Sequence, residues 1–338
     1  MNPARAQHMT IQVRSVTLAK YSAIARGLGI DPLSMLRHVG LAPGYLATPD
    51  LRIPEISLAH ILDASSKTAS SNSLGLLMGE TWRLSDFGVL SLLLQHQQTL
   101  RQTLSALHHY RHLLSDSVAI DITEHPQVAV LRCALVTERR HPGRQPVELA
   151  LAALFSLCRH QLGPHWMPRQ VHFVHAAPQH TGIHHRVFGA HLEFGSDFDG
   201  IVLDKGALDQ INPSSDPNMA RYAQDFIELQ PRSEPRQLRH AVLRAVHMLM
   251  PRGQHSIAQV GQQLGMSART LQRQLEQEGA NYQTLLNGVR REQALRLIAA
   301  RAHSITEIAQ LLGFAETSPF SRWFNQQFGV SPSRWKED

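Results

Sequence analysis

The sequence predicts two domains of different class: an α+β domain over residues 1–230 and an all-α domain over residues 237–338. Three observations support this prediction. The chain has 338 residues, more than one hydrophobic core usually serves. A proline-bearing stretch over 231–236 (PRSEPR) separates mixed periodicity from periodicity that is helical almost throughout, and is predicted to be a linker. Within the helical region, a ten-residue segment occurs twice.

The N-terminal domain combines both kinds of periodicity. Apolar residues at helical spacing predict helices over 19–27, 31–39, 55–67, 99–115, 145–161 and 217–229. Alternating patterns predict a hairpin over 118–123 and 128–136 and short strands over 170–176, 191–194 and 201–203. Strands and helices do not alternate regularly, so the pattern predicts an α+β domain and not a doubly wound sheet.

Composition limits the class of protein. Hydrophobic residues make up 43% and charged residues 18%, as in soluble globular proteins. No segment reaches the roughly 18 consecutive apolar residues of a membrane span, and the first residues lack the apolar part of a secretion signal. We therefore expect a cytoplasmic protein with no membrane partner. The two cysteines, Cys133 and Cys158, are too few for a disulfide framework or a cysteine-based zinc site.

Charge is distributed unevenly. Residues 1–231 contain 19 basic and 19 acidic side chains, whereas residues 232–338 contain 14 basic and 8 acidic ones. The whole formal net charge of +6 thus lies in the last third of the chain. A neutral domain followed by a basic one favours a polyanionic partner, although a basic face can also be merely solvated.

The repeat lies in this basic domain. Residues 256–265 (SIAQVGQQLG) recur 48 residues later as 304–313 (SITEIAQLLG). Each copy predicts a short helix with an apolar stripe, a small central residue (Gly261 or Ala309) and a glycine stop (Gly265 or Gly313). The small residue lets a second helix cross closely, and the final glycine supplies the left-handed backbone of a tight turn.

A second amphipathic helix follows each turn. Its inner face is aliphatic in the first copy and aromatic in the second, while its outer face is polar and cationic in both. This is a helix-turn-helix unit, whose second helix suits the major groove of B-DNA. One such pattern is a weak signal, but two copies in the basic region strengthen it. A long helix over 282–300 joins the units, and its Arg290, Arg291 and Arg296 are either phosphate contacts or solvated charges.

At these residues the chain resembles the AraC/XylS family of bacterial transcription regulators. The resemblance covers residues 236–338, and the segment 313–335 (GFAETSPFSRWFNQQFGVSPSRW) is similar to the family's signature. More weakly, segments 87–88, 113–116 and 188–194 resemble the effector domain of the arabinose-binding subset. The helices predicted before Ser115 do not suit an all-β sugar-binding barrel, so the name of the subset does not identify the ligand.

The resemblance implies a sequence-specific regulator that binds double-stranded promoter DNA and senses a small-molecule effector. It also implies RNA polymerase and a second copy of the chain as partners. Carried over by motif position, the base-reading residues are Arg269, Gln272 and Arg273 in the first unit and Thr317, Ser318, Ser321 and Arg322 in the second. Two positions depart from the family: Gly261 replaces an alanine, and Pro319 requires its helix to begin no earlier than Ala315 or Glu316.

Other functions are less favoured by the sequence. His108 and His112 share a helix face at a zinc-binding spacing, but neither a following glutamate nor a third ligand is evident, so we expect no metal. There is no phosphate-binding loop, dinucleotide fingerprint or nucleophile elbow, so we expect no cofactor and no enzyme. The alternative is an enzymatic N-terminal domain fused to a DNA-binding module, because catalytic groups can assemble in space without a local motif.

Overall fold

The computed structural model describes residues 10–68, 73–137, 139, 141–189, 191–230 and 238–335. The chain divides into two compact units. The first comprises residues 1–171, 178–192 and 200–233, and the second comprises residues 172–177, 193–199 and 234–338. The predicted linker over 231–236 lies outside the described residues, and the predicted domain boundaries stay a prediction.

The α+β class predicted for the N-terminal part is confirmed. Its helices are α1 (Val16–Gly27), α2 (Pro32–His38), α3 (Glu55–Thr68), α4 (Leu74–Glu80), α5 (Leu90–Gln95), α6 (Leu100–Tyr110), α7 (Arg144–Leu162), α8 (Gly182–Phe188) and α9 (Pro217–Leu229). Its strands are β1 (Gln12–Arg14), β2 (Arg52–Pro54), β3 (Val118–Glu124), β4 (Val128–Leu135), β5 (Gln170–Phe173), β6 (His191–Phe194) and β7 (Gly200–Asp204).

Two sheets organise these strands. Strands β1 and β2 pair antiparallel, with Val13 opposite Ile53. The larger sheet has the order β3–β4–β7–β5–β6, in which β4 pairs antiparallel with both β3 and β7. In the predicted hairpin, Ile120 lies opposite Cys133. Strand β7 thus pairs between β4 and β5, an order that the linear sequence did not reveal.

Local signals placed several elements correctly, whereas short elements escaped them. Asp31 accepts hydrogen bonds from the amides of Leu33 and Ser34, as expected of an N-cap followed by proline at the first helical position. The prediction missed β1, β2, α4, α5 and α8, which are three to seven residues long. Such segments show less than two turns or two alternations of a pattern, too little for periodicity to be recognised. Strand β5 also ends at Phe173, three residues before the predicted end.

The C-terminal part is all-helical, as predicted. It contains α10 (Leu238–Leu249), α11 (Ile257–Gln263), α12 (Ala268–Gln277), α13 (Tyr282–Ala300), α14 (Ile305–Leu311) and α15 (Thr317–Phe328). One apolar cluster includes buried Val260, Leu271, Leu275, Phe320 and Phe324, so both repeats share a core. None of the helices in the described residues combines the length and apolar character that a membrane span requires.

Candidate nucleic-acid interface

Each repeat is a short helix with a capping box at its N-terminus and a left-handed glycine after its C-terminus. Ser256 accepts a hydrogen bond from the amide of Gln259, whose side chain accepts one from the amide of Ser256, at 3.3 and 3.1 Å. Ser304 and Glu307 form the same reciprocal pair, at 3.2 and 2.7 Å. These capping boxes satisfy amides that have no partner inside the helix. The predicted glycine stops, Gly265 and Gly313, adopt φ values of 69° and 75°.

Helix α12 presents the first predicted reading face. Ser267 caps its start by accepting a hydrogen bond from the amide of Thr270 at 3.1 Å. Leu271 and Leu275 are buried, and the opposite face exposes Arg269, Gln272 and Arg273. Neither arginine has a carboxylate within ion-pair distance in the described part of the chain. The face therefore carries two cations without ion pairs and the side-chain amide of Gln272, which donates to Glu276 at 3.2 Å. Arginine and glutamine side chains suit guanine and adenine edges.

Helix α15 presents the second face, with less charge. It begins at Thr317 after Glu316, within the limit that Pro319 imposes on its start. Ser318 and Arg322 are exposed, whereas Thr317 and Ser321 are half-buried. The hydroxyl of Thr317 donates to that of Thr306 at 3.1 Å, which orients it against the preceding helix. The structure thus places all four predicted residues on one short helix, with Arg322 as their cation.

The arginines of α13 differ from one another. Arg290 donates to the carbonyl of Leu312 at 3.1 Å and lies 4.3 Å from the ring centroid of Phe314. Arg296 forms an ion pair with buried Asp199, and this carboxylate together with that of Glu292 keeps the guanidinium pKa raised despite the opposing effect of burial. Both arginines therefore bind protein groups. Only Arg291 of the three is exposed.

A histidine before each repeat was missed by the sequence prediction. His255 and His303 stand 48 residues apart, each one residue before the capping serine. Burial and the adjacent Arg290 lower the pKa of His255. A nitrogen of Arg290 lies 3.0 Å from its Nε2, and the Tyr282 hydroxyl donates to its carbonyl at 2.5 Å. Burial raises the pKa of Tyr282 to about 12. Extending the repeat by one residue would have revealed the pair.

The two histidines considered for zinc both hydrogen bond to backbone carbonyls through a ring nitrogen. Nδ1 of His108 hydrogen bonds with the carbonyl of Ile120 at 3.2 Å, and Nδ1 of His112 with that of His109 at 3.3 Å. Among the described residues, no group of three or more metal-binding side chains is brought together. Cys133 and Cys158 are both buried.

Family models match both the N-terminal and the C-terminal part of the chain. The model of the arabinose-binding domain found at the N-terminus of AraC transcription regulators matches residues 29–212. The chain belongs to the AraC family. A helix-turn-helix domain model matches residues 260–338, a range that begins within α11 and includes the whole of the second unit. This AraC-family chain is therefore a transcription regulator with an N-terminal ligand-binding domain and a C-terminal DNA-binding domain.

The chain is also similar to individual proteins over part or most of its length. The chain is 28% identical over 326 residues to the HTH-type transcriptional regulator VirS of Mycobacterium tuberculosis, covering 96% of each. It is 23% identical to the ornithine utilization regulator of Pseudomonas aeruginosa, covering 91% of each. A 74-residue segment, 22% of this chain and 27% of the relative, is 42% identical to the activator RhaS of Salmonella newport. The crystal structure of the regulator CdpR from Pseudomonas aeruginosa aligns at 21% identity and a TM-score of 0.46, covering 94% of this chain and 95% of the other.

Proposed function

We propose that α12 and α15 read two successive major-groove segments of promoter DNA. In this proposal Arg269, Gln272 and Arg273 contact bases in the first segment, and Thr317, Ser318, Ser321 and Arg322 in the second. The proposal is supported most by the polar outward faces of α12 and α15, which are the second helices of the two helix-turn-helix units. Their exposed arginines lack carboxylate partners in the described residues, so no desolvated ion pair must break when DNA binds.

Single substitutions test the base contacts. Arg273→Ala and Arg322→Ala should each reduce discrimination between operator and mismatched DNA by about 1–3 kcal/mol. The altered preferences should map to patches about 34 Å apart, one turn of the duplex. Arg26→Ala is a matched control, because Arg26 is an exposed arginine of α1. Equal weakening on all sequences, with only a shallower salt dependence, would instead identify a phosphate contact.

We infer that the N-terminal domain senses its small molecule without converting it. Binding can regulate only if the ligand has different affinities for two states of the protein. A coupling of about 1–3 kcal/mol would change operator affinity roughly 5- to 150-fold, and operator DNA must change ligand affinity equally. Footprinting with metabolite fractions would supply a ligand, and calorimetry with and without DNA would measure the coupling. Conversion of the ligand by the purified protein would favour the enzymatic alternative. We place this activity in the cytoplasm, where promoter DNA is.

We propose a second copy of the chain as a partner through α9. Met219, Tyr222, Phe226 and Leu229 are 46–82% exposed and form one apolar stripe. Their spacings of three, four and three residues are those of a coiled-coil seam. The spacings are also symmetric about residue 224. An antiparallel pair of identical helices would therefore place Tyr222 opposite Phe226 and Met219 opposite Leu229, as a two-fold interface requires.

Oligomeric state tests this interface. Phe226→Glu should convert a dimer to a monomer in sedimentation equilibrium, because two carboxylates would be buried at the seam. Asn218→Glu adds the same charge beside the stripe and should leave the dimer intact. A monomeric parent protein would contradict the proposal. RNA polymerase stays a proposed partner on the family resemblance alone, and a bridging assay on promoter DNA would test it.

A further inference from the structure

The first of the two compact units, which holds most of the N-terminal domain, contains a cavity that no sequence pattern indicated. It has a volume of about 160 Å³ and lies among α1, α3, α6, α7, β3 and β4. Its walls are mainly aliphatic, including Leu107, Ile120, Leu135, Leu149 and Leu154. Apolar cavities of about this size hold a molecule as large as benzene and exclude water. The cavity therefore suits a compact apolar body.

Most of the polar side chains at its edge already have partners. Arg14 forms an ion pair with Asp50, and Asp86 forms one with Lys20 at 2.8 Å. The hydroxyl of Ser117 donates to the carbonyl of Val136 at 2.7 Å. These interactions leave the groups little capacity for a ligand. The buried carboxylate on the wall, Glu55, accepts a hydrogen bond from the hydroxyl of Thr137 at 2.9 Å.

Arg111 is the exception among the cationic groups that line the cavity. It follows α6 directly, is half-buried, and donates to the carbonyl of His108. No carboxylate of the described residues lies within ion-pair distance of it. Burial is the sole cause that lowers the pKa of its guanidinium. A guanidinium has five N–H donors, so most of its hydrogen-bonding capacity stays unused.

Trp82 supplies a second donor. This side chain also lines the cavity, and its indole N–H is buried without an acceptor among the described residues. A buried donor without an acceptor carries a free-energy penalty that a suitable oxygen would remove. Arg111 and Trp82 therefore both favour a ligand with acceptor oxygens. The cation favours a negative charge on those oxygens.

We propose that this cavity is the effector site and that its ligand is a small apolar monocarboxylate. The inference rests on the proposed sensing role of the N-terminal domain and specifies its ligand class. The carboxylate accepts hydrogen bonds from Arg111, and the apolar body fills the aliphatic cavity. A pentose fits poorly, because the aliphatic walls would leave its hydroxyls without partners.

Calorimetry on the full-length protein tests the ligand class. Hexanoate and cyclohexanecarboxylate are the probes, cyclohexanecarboxamide is the neutral counterpart, and L-arabinose is the polar comparison. We expect a monocarboxylate to bind at least about tenfold more tightly than the amide, as expected for a hydrogen bond between charged groups. L-arabinose should not compete. Failure of both monocarboxylates to bind the folded protein, or equal affinity for acid and amide, would overturn the proposal.

Two variants test the position of the site. Arg111→Gln should weaken monocarboxylate binding about 10- to 100-fold and weaken amide binding much less, because the amide carries no charge. Arg101→Gln is the matched control on α6, because Arg101 forms its ion pairs with Glu124 and Asp209 and does not line the cavity. Ala153→Leu fills the cavity and should weaken acid binding without altering Arg111. It decides the question if Arg111→Gln does not fold. Unchanged affinity in the folded variants would place the site elsewhere.

Failure of this proposal is distinguishable from failure of the sensing role. Footprinting with metabolite fractions does not depend on the ligand class. An effect of another metabolite on operator binding, unaltered by Arg111→Gln and Ala153→Leu, would overturn the carboxylate site and leave the sensing role supported. Absence of any ligand effect on operator binding would contradict the sensing role itself.

Discussion

The turn glycines of the two repeats look equivalent in sequence and differ in their surroundings. Gly265 and Gly313 both adopt a left-handed backbone, with φ values of 69° and 75°. A Cβ atom on Gly265 would meet nothing within 4 Å, whereas one on Gly313 would overlap the imidazole of His255. His255 precedes the first repeat, so the first unit packs on the turn of the second. The same motif residue thus has a conformational role in one copy and an additional packing role in the other.

The second helices of the repeats differ in the same way. Helix α12 buries Leu271 and Leu275 and exposes the three polar residues that we propose read bases. Helix α15 buries Phe320 and Phe324 in the corresponding places. They follow Leu271 and Leu275 by 49 residues, one more than the offset of 48 between the repeats. The second unit thus has the bulkier core, and the first has the more highly charged face. We expect substitutions in the second unit to affect stability more and substitutions in the first to affect DNA binding more.

Core truncation should show the largest effect. Phe324→Ala should lower the free energy of unfolding by about 3–5 kcal/mol, because the ring packs against Phe328 and Trp335 at centroid distances of 4.4 and 5.9 Å. Leu275→Ala should cost about 2–5 kcal/mol, toward the lower part of that range. Urea unfolding followed by circular dichroism measures both. A larger loss from Leu275→Ala would contradict the expected difference in stability between the two units.

Substitutions of the two turn glycines should show the next largest difference in stability. Gly265→Ala should cost about 1–2 kcal/mol for the left-handed conformation alone. Gly313→Ala should cost about 1–3 kcal/mol more, because the imidazole of His255 must move. The double variant Gly313→Ala/His255→Ala should recover most of that additional cost. Equal losses at the two glycines would show that His255 yields without strain.

Two neighbouring arginines of α13, one packed and one exposed, should contribute differently to stability. Arg290→Ala should destabilise the protein by about 1.5–3 kcal/mol, because it removes the hydrogen bond to Leu312 and the contact with Phe314. Arg291→Ala, one residue away and exposed, should change stability by less than about 0.5 kcal/mol. Thermal unfolding of both variants provides the measurement. Similar losses would mean that the contacts of Arg290 add no net stability.

Substitutions at the N-terminal caps of α12 and α15 should show the smallest difference in stability. Ser267→Ala should cost about 1 kcal/mol, because the amide of Thr270 loses its acceptor. Glu316→Ala at the start of α15 should cost less, since the Glu316 side chain makes no capping hydrogen bond. Denaturant titration at fixed pH would detect the difference. A greater loss at Glu316 would contradict the assigned start of α15.

The sequence alone determined features whose signals are local. The bounds of α13 agree with the predicted 282–300, and Asp31 and Ser267, which are residue types that favour the N-cap, cap α2 and α12. Long periodic helices and capping residues depend on neighbours within about one turn, so a linear pattern specifies them. The outward faces proposed to read DNA followed from the same periodicity, which distinguishes buried Leu271 from exposed Arg273.

Tertiary structure decided what depends on residues distant in the chain. The placement of β7 between β4 and β5, the ion pair of Arg296 with Asp199, and the contact of His255 with Gly313 join segments that no local pattern relates. The cavity beside Arg111 is of the same kind, because helices and strands spread over some 140 residues supply its walls. Whether an arginine is solvated, buried or directed toward a ligand depends on packing between elements, whereas sequence periodicity reports only the face of its own helix.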